Sequence, residues 1–447
     1  MWCVLKRMKM PAEEIAPPIE VPPAEILPEE KQTGGSTFAL LSVFQHRNYR
    51  LFFYGQMVSQ LGNWINNVAQ AWLVYSLTHS VLLLGITAFV GQVPVFFFSS
   101  LGGVMADRFE RRHVLAVTQA LSIVESAGLA ILVFSGAIRP WHILALALFQ
   151  GLVNAVDIPT RQAMTVEMVG RQDLRKAVSI NSIAFNFARL VAPPVAGLMI
   201  GLVGAGFCFA IDALSYGAVL ASLFRMQMDT RLPRRMEKNL SNIRAGLLYI
   251  WRERDLRASI MLIAVCSAFG ASYVSFLPAF ARDLLDQGSE GLGLLYGAVG
   301  AGALLGAYVL ARVPDRHLVA TPIVAAAAFG ASLMAFSFSR WFAVSAALLL
   351  PVSFSLMLLG GSTSTLIQTL ARADMRGRVA ALYAMSFMGM MPWGSLLMGW
   401  VAGYAGVAMP VAVGGGVCIL GAIAAWLGRR GDMRTDTKYS SCIRSEP

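Results

Sequence analysis

Three carboxyl groups lie inside long apolar stretches of the sequence, namely Asp157, Asp212 and Glu125. Ionisable groups are rare in such stretches because lipid does not solvate charge, and those that occur commonly mark ion pathways and proton relays. A carboxyl group held there can bind and release a proton, and we rank these three as proton-coupling candidates in the order given. For each of them, a role in helix packing alone remains an equal alternative.

Two arginines accompany these acids. Arg161 follows Asp157 by one helical turn, a spacing that favours an ion pair within one helix. Arg189 then needs a carboxylate of its own, and Asp212 and Glu125 are the acids that remain. The five cysteines and five histidines are scattered without paired spacing, so the sequence predicts no disulfide framework, no metal site and no cofactor.

Amide and charged side chains recur at helical spacing in three early segments. The stripes are Gln56, Gln60, Asn63, Asn67 and Gln70; Gln150, Asn154, Asp157 and Arg161; and Ser182, Asn186 and Arg189. Polar stripes inside a membrane can solvate one another only by converging, so we expect a water-filled cavity. Its predicted lining is Gln60, Asn63, Asn67, Gln150, Asn154, Arg161, Asn186 and Arg189. The alternative is simple adhesion between helices, at about 0.6 kcal/mol per polar contact.

Composition identifies the elements that must position these residues. The chain has 447 residues, of which 56% are hydrophobic and 14% charged, with a mean hydropathy of +0.61. Soluble proteins carry about a quarter charged residues, so this composition indicates a multi-pass membrane protein. The net charge of +11 does not indicate nucleic-acid binding, because the basic residues separate apolar segments rather than forming one basic domain.

The sequence predicts an all-α fold with twelve transmembrane helices, since unbroken apolar segments of about 20 residues span a bilayer as helices and not as barrel strands. The predicted limits are 48–77, 80–105, 112–135, 141–169, 174–201 and 206–227, then 256–281, 290–312, 318–338, 341–370, 375–404 and 407–428. These segments form an N-terminal bundle (48–227) and a C-terminal bundle (256–428). Two short echoes favour duplicated six-helix bundles: Asp173-Leu174-Arg175 with Asp374-Met375-Arg376, and Asp107-Arg108 with Asp315-Arg316.

The remaining segments are two tails and a linker. Residues 1–47 are rich in proline and are predicted to be a disordered tail, and 429–447 form a second tail. In the linker, 228–255, four apolar residues share one helical face amid arginines, which predicts a helix on the membrane surface or, less favoured, a partner-binding helix: Leu240, Ile243, Leu247 and Trp251. Basic residues concentrate in the connections on the side of the N-terminus, so both termini are expected to be cytoplasmic.

The connection between helices 2 and 3 combines glycine with dense charge, in Gly103, Asp107, Arg108, Arg111 and Arg112. The pattern Gly-x-x-x-Asp-Arg-x-x-Arg-Arg resembles the loop signature of the major facilitator superfamily, with Glu110 at a position where that family usually has glycine. The resemblance implies a cytoplasmic charge latch that helps to set which face is open, and we expect Asp107 near the start of helix 3. The alternative is a basic cluster that only fixes orientation.

Two further motifs refine the resemblance. Pro193, Pro194 and Gly197 in helix 5 resemble the Gly-Pro-x-x-Gly-Gly motif of exporters in the superfamily, with alanine at two glycine positions. Gln150-Gly151 is half of the helix 4 motif Arg-x-x-Gln-Gly, whose arginine is replaced by Ala147. The segments 154–163 and 388–395 are similar to the bacterial secretion-effector branch, which contains the enterobactin exporter and macrolide efflux pumps.

The resemblance implies that helices 1, 4, 7 and 10 surround a central cavity, with helix 5 beside them. Helices 10 and 11 carry soft and aromatic side chains, which predict an apolar wall opposite the polar one: Met357, Tyr383, Met385, Phe387, Met388, Met390, Met391 and Trp393.

These features favour a monomeric secondary transporter of the bacterial inner membrane that exports a small amphipathic molecule, a drug or a siderophore, in exchange for protons. A proton-coupled importer is disfavoured by the helix 5 motif. A membrane enzyme or a non-transporting scaffold is the alternative from another class. We expect no enzyme, because the sequence has no phosphate loop, metal-ligand spacing or cluster of histidine with acids.

Overall fold

The computed structural model describes residues 41–227, 241–314, 317–372 and 375–443. Its helices in the first half are α1 (Arg47–Thr78), α2 (Val81–Arg108), α3 (Arg111–Phe134), α4 (Pro140–Gly170), α5 (Gln172–Val203) and α6 (Ala205–Arg225). After α7 (Ser241–Arg252), the second half comprises α8 (Arg254–Leu284), α9 (Ser289–Leu310), α10 (Thr321–Phe338), α11 (Phe342–Leu370), α12 (Arg376–Met388), α13 (Met391–Ala405) and α14 (Ala408–Ile443).

The all-α membrane fold with twelve spans is confirmed. Within the described residues, ten helices are long and apolar enough to cross a bilayer. The eleventh span is α1, whose polar stripe lowers its hydropathy although it is 32 residues long. The twelfth is the pair α12 and α13, which the chain interrupts at Gly389 and Met390. The uninterrupted helix predicted for 375–404 is therefore wrong, and the proline at the start of α13 explains a break there.

Packing between helices follows the same plan in both halves. In the first half, α2 packs on α4 and α3 packs on α6; in the second half, the corresponding helices α9 and α11 pack together, as do α10 and α14. The halves meet mainly through two pairs, α2 with α13 and α5 with α9, and α8 makes smaller contacts with α1 and α2. This arrangement is that of two six-helix bundles. The echo residues Asp315, Arg316 and Asp374 lie outside the described residues.

The turn between α4 and α5 depends on one glycine. Gly170 has a φ of +69°, in the left-handed region, and no other atom lies near the position of a Cβ there. Glycine adopts this conformation without steric cost, so the chain reverses between two helices with almost no loop.

Several predicted boundaries differ from the structure. The sequence predicts a disordered tail that includes residues 42–47, whereas Ser42–Gln45 form a 3₁₀ turn and Val43 is fully buried. Phe44 packs edge-on against Phe53 at 5.0 Å between ring centroids, which explains why this segment is ordered. At the other end, α14 continues beyond 428, where the second tail was predicted to begin. Most of the N-terminal tail, residues 1–40, lies outside the described residues.

The linker contains the expected helix, α7, whose Leu247 and Trp251 are exposed. Leu240, from the same predicted face, lies outside the described residues.

Candidate functional site

The polar stripes of α1 and α4 converge between the helices. The Arg161 guanidinium donates to Gln56 Oε1 at 3.1 Å, which joins α4 to α1. Asn67 donates to Asn63 at 3.0 Å, and Asn63 donates to the Tyr216 hydroxyl at 3.2 Å. Asn67 is exposed, whereas Gln60 and Asn63 are half-buried. The α1 stripe therefore extends from an accessible amide inward to α6.

Along α4 and α5 the other predicted lining residues make mostly local contacts. Gln150 donates to Ser122 of α3 at 3.2 Å and to Asn154 at 3.3 Å. Asn186 donates to the Ser182 carbonyl of its own helix at 2.8 Å. All of these amides are half-buried, and the Gln150 Oε1 atom is itself buried with no hydrogen-bond partner among the described residues.

Asp157 is buried and well partnered. Its carboxylate accepts hydrogen bonds from Thr118 at 2.9 Å and Gln119 at 2.8 Å, and it forms the expected ion pair with Arg161. Thr118 and Gln119 were missed from the sequence, although they recur at helical spacing on α3 with Ser122, Glu125 and Ser126. Both oxygens of the Asp157 carboxylate therefore have partners, Oδ1 the two donors of α3 and Oδ2 the Arg161 guanidinium.

Glu125 and Asp212 form a second acidic site in which Ser126 is shared. Both are buried, and the Ser126 hydroxyl lies 2.9 Å from Glu125 Oε2 and 2.8 Å from Asp212 Oδ2. Asn66 donates to the same Asp212 oxygen at 2.6 Å. A hydroxyl has a single hydrogen to donate, so the arrangement is complete when one of the two carboxyl groups carries a proton and donates it to Ser126.

Arg189 has no such carboxylate, contrary to the expectation from the sequence. Its guanidinium lies over the Trp64 ring at 5.9 Å from the centroid, and it makes no ion pair or hydrogen bond with any residue that the structure describes. The side chain is half-buried and lies near the middle of α5. An arginine at the centre of a membrane helix costs about 2.5–3.5 kcal/mol, so an unpaired one requires water or a ligand nearby.

In the second half of the chain, α8 is an irregular helix. Within α8 the backbone changes to π-helix at Cys266–Gly270, to 3₁₀ at Ala271–Phe276 and back to π at Phe280–Leu284. Tyr273 and Ser267 are buried there, and their hydroxyl groups have no hydrogen-bond partner among the described residues. Departures from α-helix are frequent at functional sites.

The predicted apolar wall, on the predicted helices 10 and 11, makes both apolar and polar contacts. Tyr383 stacks with Phe387 at 6.1 Å and donates to the Gly360 carbonyl at 2.9 Å. Trp393 packs edge-on against Phe89 of α2 at 5.0 Å, so it belongs to the contact between the halves. Met385, Met388 and Met390 are exposed.

The charged turn between α2 and α3 (residues 102–112, here the Asp107 turn) centres on Arg111. Arg111 lies 3.0 Å from Glu167 of α4 and 3.9 Å from Asp107. Arg112 donates to the Phe224 carbonyl of α6 at 3.2 Å. Asp107 belongs to the last turn of α2, so its expected place at the start of the next helix is wrong; Glu110 is the residue that precedes α3.

The other two predicted latch residues of the Asp107 turn, Gly103 and Arg108, contribute little to these contacts. Gly103 is buried in α2 and Arg108 is exposed.

At the opposite end of the helices, the two halves are in close contact. A Cβ on Gly197 of α5 would lie 2.5 Å from the Ser289 carbonyl oxygen of α9, and one on Gly293 would lie 2.7 Å from the Pro193 carbonyl oxygen. Pro194 is the nearest neighbour of Gly297. The exporter-like motif therefore forms one of the contacts between the halves, which we call the α5–α9 seal (Pro193, Pro194, Gly197, Ser289 and Gly293).

Two further contacts accompany the seal. The Tyr75 hydroxyl donates to Asp283, and the Arg282 guanidinium lies 5.9 Å from the Trp72 ring centroid. Both join the end of α1 to the end of α8.

A fold of two six-helix bundles, with polar residues from several helices facing each other across it, defines a membrane transporter of the major facilitator superfamily. A family model described as transmembrane secretion effector matches residues 36–443. The chain belongs to this family, which confirms the branch predicted from its motifs.

Relatives and solved structures agree with this assignment. The chain is 26% identical to the staphyloferrin A transporter of Staphylococcus aureus over 360 residues, which cover 78% of this chain and 88% of the relative. It is 27% identical to the multidrug efflux pump Tap of Mycolicibacterium fortuitum over 400 residues, covering 85% and 95%. It is 24% identical to the enterobactin exporter EntS of Shigella boydii over 262 residues, covering 59% and 62%. The crystal structure of a mutant of the nucleoside transporter NupG superposes with a TM-score of 0.66 at 13% identity, covering 84% of this chain and 99% of NupG, which shows the fold alone.

Proposed function

We propose that this transporter exports a small amphipathic molecule, a drug or a siderophore, across the bacterial inner membrane by proton antiport and alternating access. In this proposal it acts as a monomer with both termini in the cytoplasm, so the Asp107 turn lies at the cytoplasmic face. The bundles 48–227 and 256–428 move as units joined by the linker 228–255.

The α5–α9 seal is the observation that carries the proposal. At the face opposite the Asp107 turn, the backbones of α5 and α9 approach each other closely at Gly197 and Gly293, a contact that in this proposal closes the space between the bundles. Contacts between backbones with no intervening side chains can separate and re-form as rigid units, as rocking of two bundles requires. That the seal is made of the exporter-like motif supports outward transport.

The proposed cleft lies between the two bundles, and its polar and apolar walls support an amphipathic substrate. Amides on α1 and α4 offer hydrogen bonds, whereas exposed methionines on α12 and at its junction with α13 offer an adaptable apolar surface. The names of the relatives include a siderophore transporter, a siderophore exporter and a multidrug pump, which is consistent with substrates of this kind.

For proton coupling, the geometry favours Asp212 and Glu125 over Asp157. Asp157 is ion-paired and accepts two further hydrogen bonds, so protonation would break several contacts. The Glu125–Ser126–Asp212 group already has room for one proton, and Asn66 links it to α1. A change in its protonation would be transmitted to the helix that carries the polar stripe.

The Asp107 turn is proposed to act as the cytoplasmic latch. Arg111 connects α2, α3 and α4 through Asp107 and Glu167, so the turn fixes the ends of three helices of one bundle. When the N-terminal bundle moves, the ion pairs of Arg111 with Asp107 and Glu167 would therefore either all remain or all break.

Efflux from whole cells tests the proposal. Cells lacking their own efflux pumps would be loaded with ethidium, Nile red or fluorescein, which are cationic, neutral and anionic amphiphiles. We expect expression of the protein to accelerate loss of at least one dye and a protonophore to abolish the effect. Faster dye entry would instead support an importer, and no effect on any dye, with the protein present in the membrane, would support a scaffold.

A further inference from the structure

We propose that Arg189, together with Trp64 and Tyr273, binds the anionic group of the transported molecule, so that the substrates are amphipathic organic anions such as carboxylates. This inference rests on the proposed function, since it assigns the substrate class of the same central cleft.

Arg189 differs from Arg161, the other arginine in the centre of the first half, in the partners of its guanidinium. Arg161 has Asp157 as an ion-pair partner and Gln56 as an acceptor. Arg189 has neither an acidic nor an amide partner within the described residues, and its guanidinium lies over the Trp64 ring. A half-buried guanidinium has five N–H donors to satisfy. An anion is the ligand that satisfies both the donors and the charge.

The position of Arg189 is suited to a substrate site between the halves. A Cβ on Gly300 of α9 would lie 2.7 Å from the Arg189 carbonyl oxygen, so α9 approaches α5 closely at this level. Gly300 is about 16 Å along α9 from Ser289 and about 15 Å from Leu310, from the rise of 1.5 Å per residue. Arg189 therefore lies near the middle of the membrane, at the level where the α5–α9 seal begins.

Tyr273 supplies a second, independent indication of a ligand. It is 1% exposed, and its hydroxyl has no hydrogen-bond partner in the described part of the chain. Tyr296, about one turn from Gly300 on α9, donates to the carbonyl of the next residue, Val274, at 3.0 Å, which places Tyr273 at the level of Arg189. Buried hydroxyl groups are nearly always hydrogen-bonded, so an unpartnered one at the level of an unpaired cation indicates an absent acceptor. Because Tyr273 belongs to α8 and Arg189 to α5, the anion would contact both bundles.

Trp64 offers a packing surface for the apolar part of the transported molecule. Its ring is already positioned against the guanidinium, in a geometry that holds the arginine side chain in place. An aromatic or aliphatic body attached to the anionic group can pack on the indole, since α1 leaves Trp64 half-buried. The combination selects an anionic head with an apolar body.

Equilibrium binding to the full-length protein in lipid nanodiscs tests this inference. The probes are radiolabelled 2-naphthoate and 2-naphthamide, which share an apolar body and differ in charge. We expect naphthoate to bind more tightly than naphthamide. Arg189→Gln should weaken naphthoate binding at least tenfold, equivalent to about 1.4 kcal/mol, and leave naphthamide binding unchanged.

Two further variants secure the result. Tyr273→Phe removes the unpartnered hydroxyl without changing shape, and it should weaken naphthoate binding severalfold even if Arg189→Gln fails to fold. Arg312→Gln is the matched control, because Arg312 also lies over an aromatic ring, Tyr308 at 3.6 Å, but is exposed at the end of α9.

Equal binding of the two probes, or naphthoate binding unaffected by both central variants, would overturn the inference. Dye efflux by the unmodified protein would then still support the exporter. Absence of efflux for every dye would instead contradict the exporter itself.

Discussion

Replacing Gly197 by alanine should open the α5–α9 seal. The new Cβ would lie 2.5 Å from the Ser289 carbonyl oxygen, 2.9 Å from Gly293 Cα and 3.1 Å from Gly293 N. All three are backbone atoms, so no side chain can rotate away and the helices must separate. Overpacking of this kind costs about 1–3 kcal/mol. That cost is specific to the sealed state, so the equilibrium should shift roughly 5- to 150-fold toward opening at this face.

The shift can be measured by thiol labelling at Asn67, an exposed residue of the α1 stripe. Asn67→Cys is introduced with Cys3 and Cys442 replaced by serine; the other three cysteines are buried. A membrane-impermeant maleimide is then applied from the face of the seal. We expect Gly197→Ala to accelerate labelling from this face by about the factor given above.

Gly217→Ala provides the matched control. Gly217 also lies within a membrane helix, but no atom lies within 4 Å of the position that its Cβ would occupy. It should leave the labelling rate unchanged. If the Gly197 variant folds and labels no faster than this control, the seal is not the contact that restricts access and our reasoning is wrong.

Three other substitutions test separate parts of the mechanism. Ser126→Ala removes the hydroxyl shared by the two buried carboxyl groups and should reduce proton-driven efflux by roughly tenfold, since hydrogen bonds to charged groups contribute about 1.5–3 kcal/mol; Ser222→Ala, whose hydroxyl bonds only within its own helix, should have no effect. Tyr75→Phe removes the hydrogen bond to α8 and should accelerate thiol labelling from the sealed face, whereas an unchanged rate would exclude a role in closure. Arg111→Gln breaks the ion pair with Glu167 and should stop dye efflux at an undiminished amount of protein in the membrane; normal efflux would contradict the latch.

Hydropathy and spacing are sufficient to predict the fold and part of the site. Apolar length determines the twelve spans because lipid requires every backbone polar group to be bonded within the helix. The Gln56–Arg161 contact was implicit in the stripes, since each stripe identifies the polar face of its own helix. The α12–α13 break was not predicted, because the apolar run continues through Gly389 and Met390 although Pro392 follows them.

The contacts between helices could not be predicted from spacing. Periodicity gives the face of a helix but not the neighbour against which that face packs. Asn66 and Ser126 therefore went unnoticed although they connect three helices at Asp212. The predicted acidic partner of Arg189 was wrong for the same reason. Counting charges in the sequence left Asp212 and Glu125 for Arg189, whereas in the structure these two acids share Ser126 with each other.

The transport mechanism requires that the polar faces of α1, α4 and α5 line a water-filled cleft. Cysteines introduced singly at Asn63, Asn154 and Asn186 would be exposed to a membrane-impermeant thiol reagent from each face in turn. Leu214→Cys is the control, because Leu214 is 76% exposed on α6, a helix that packs on its own bundle. We predict labelling at all three sites from the Asp107 face and none at Leu214. Failure of all three to react from either face would show that the stripes only hold helices together, and the transport site would have no physical basis.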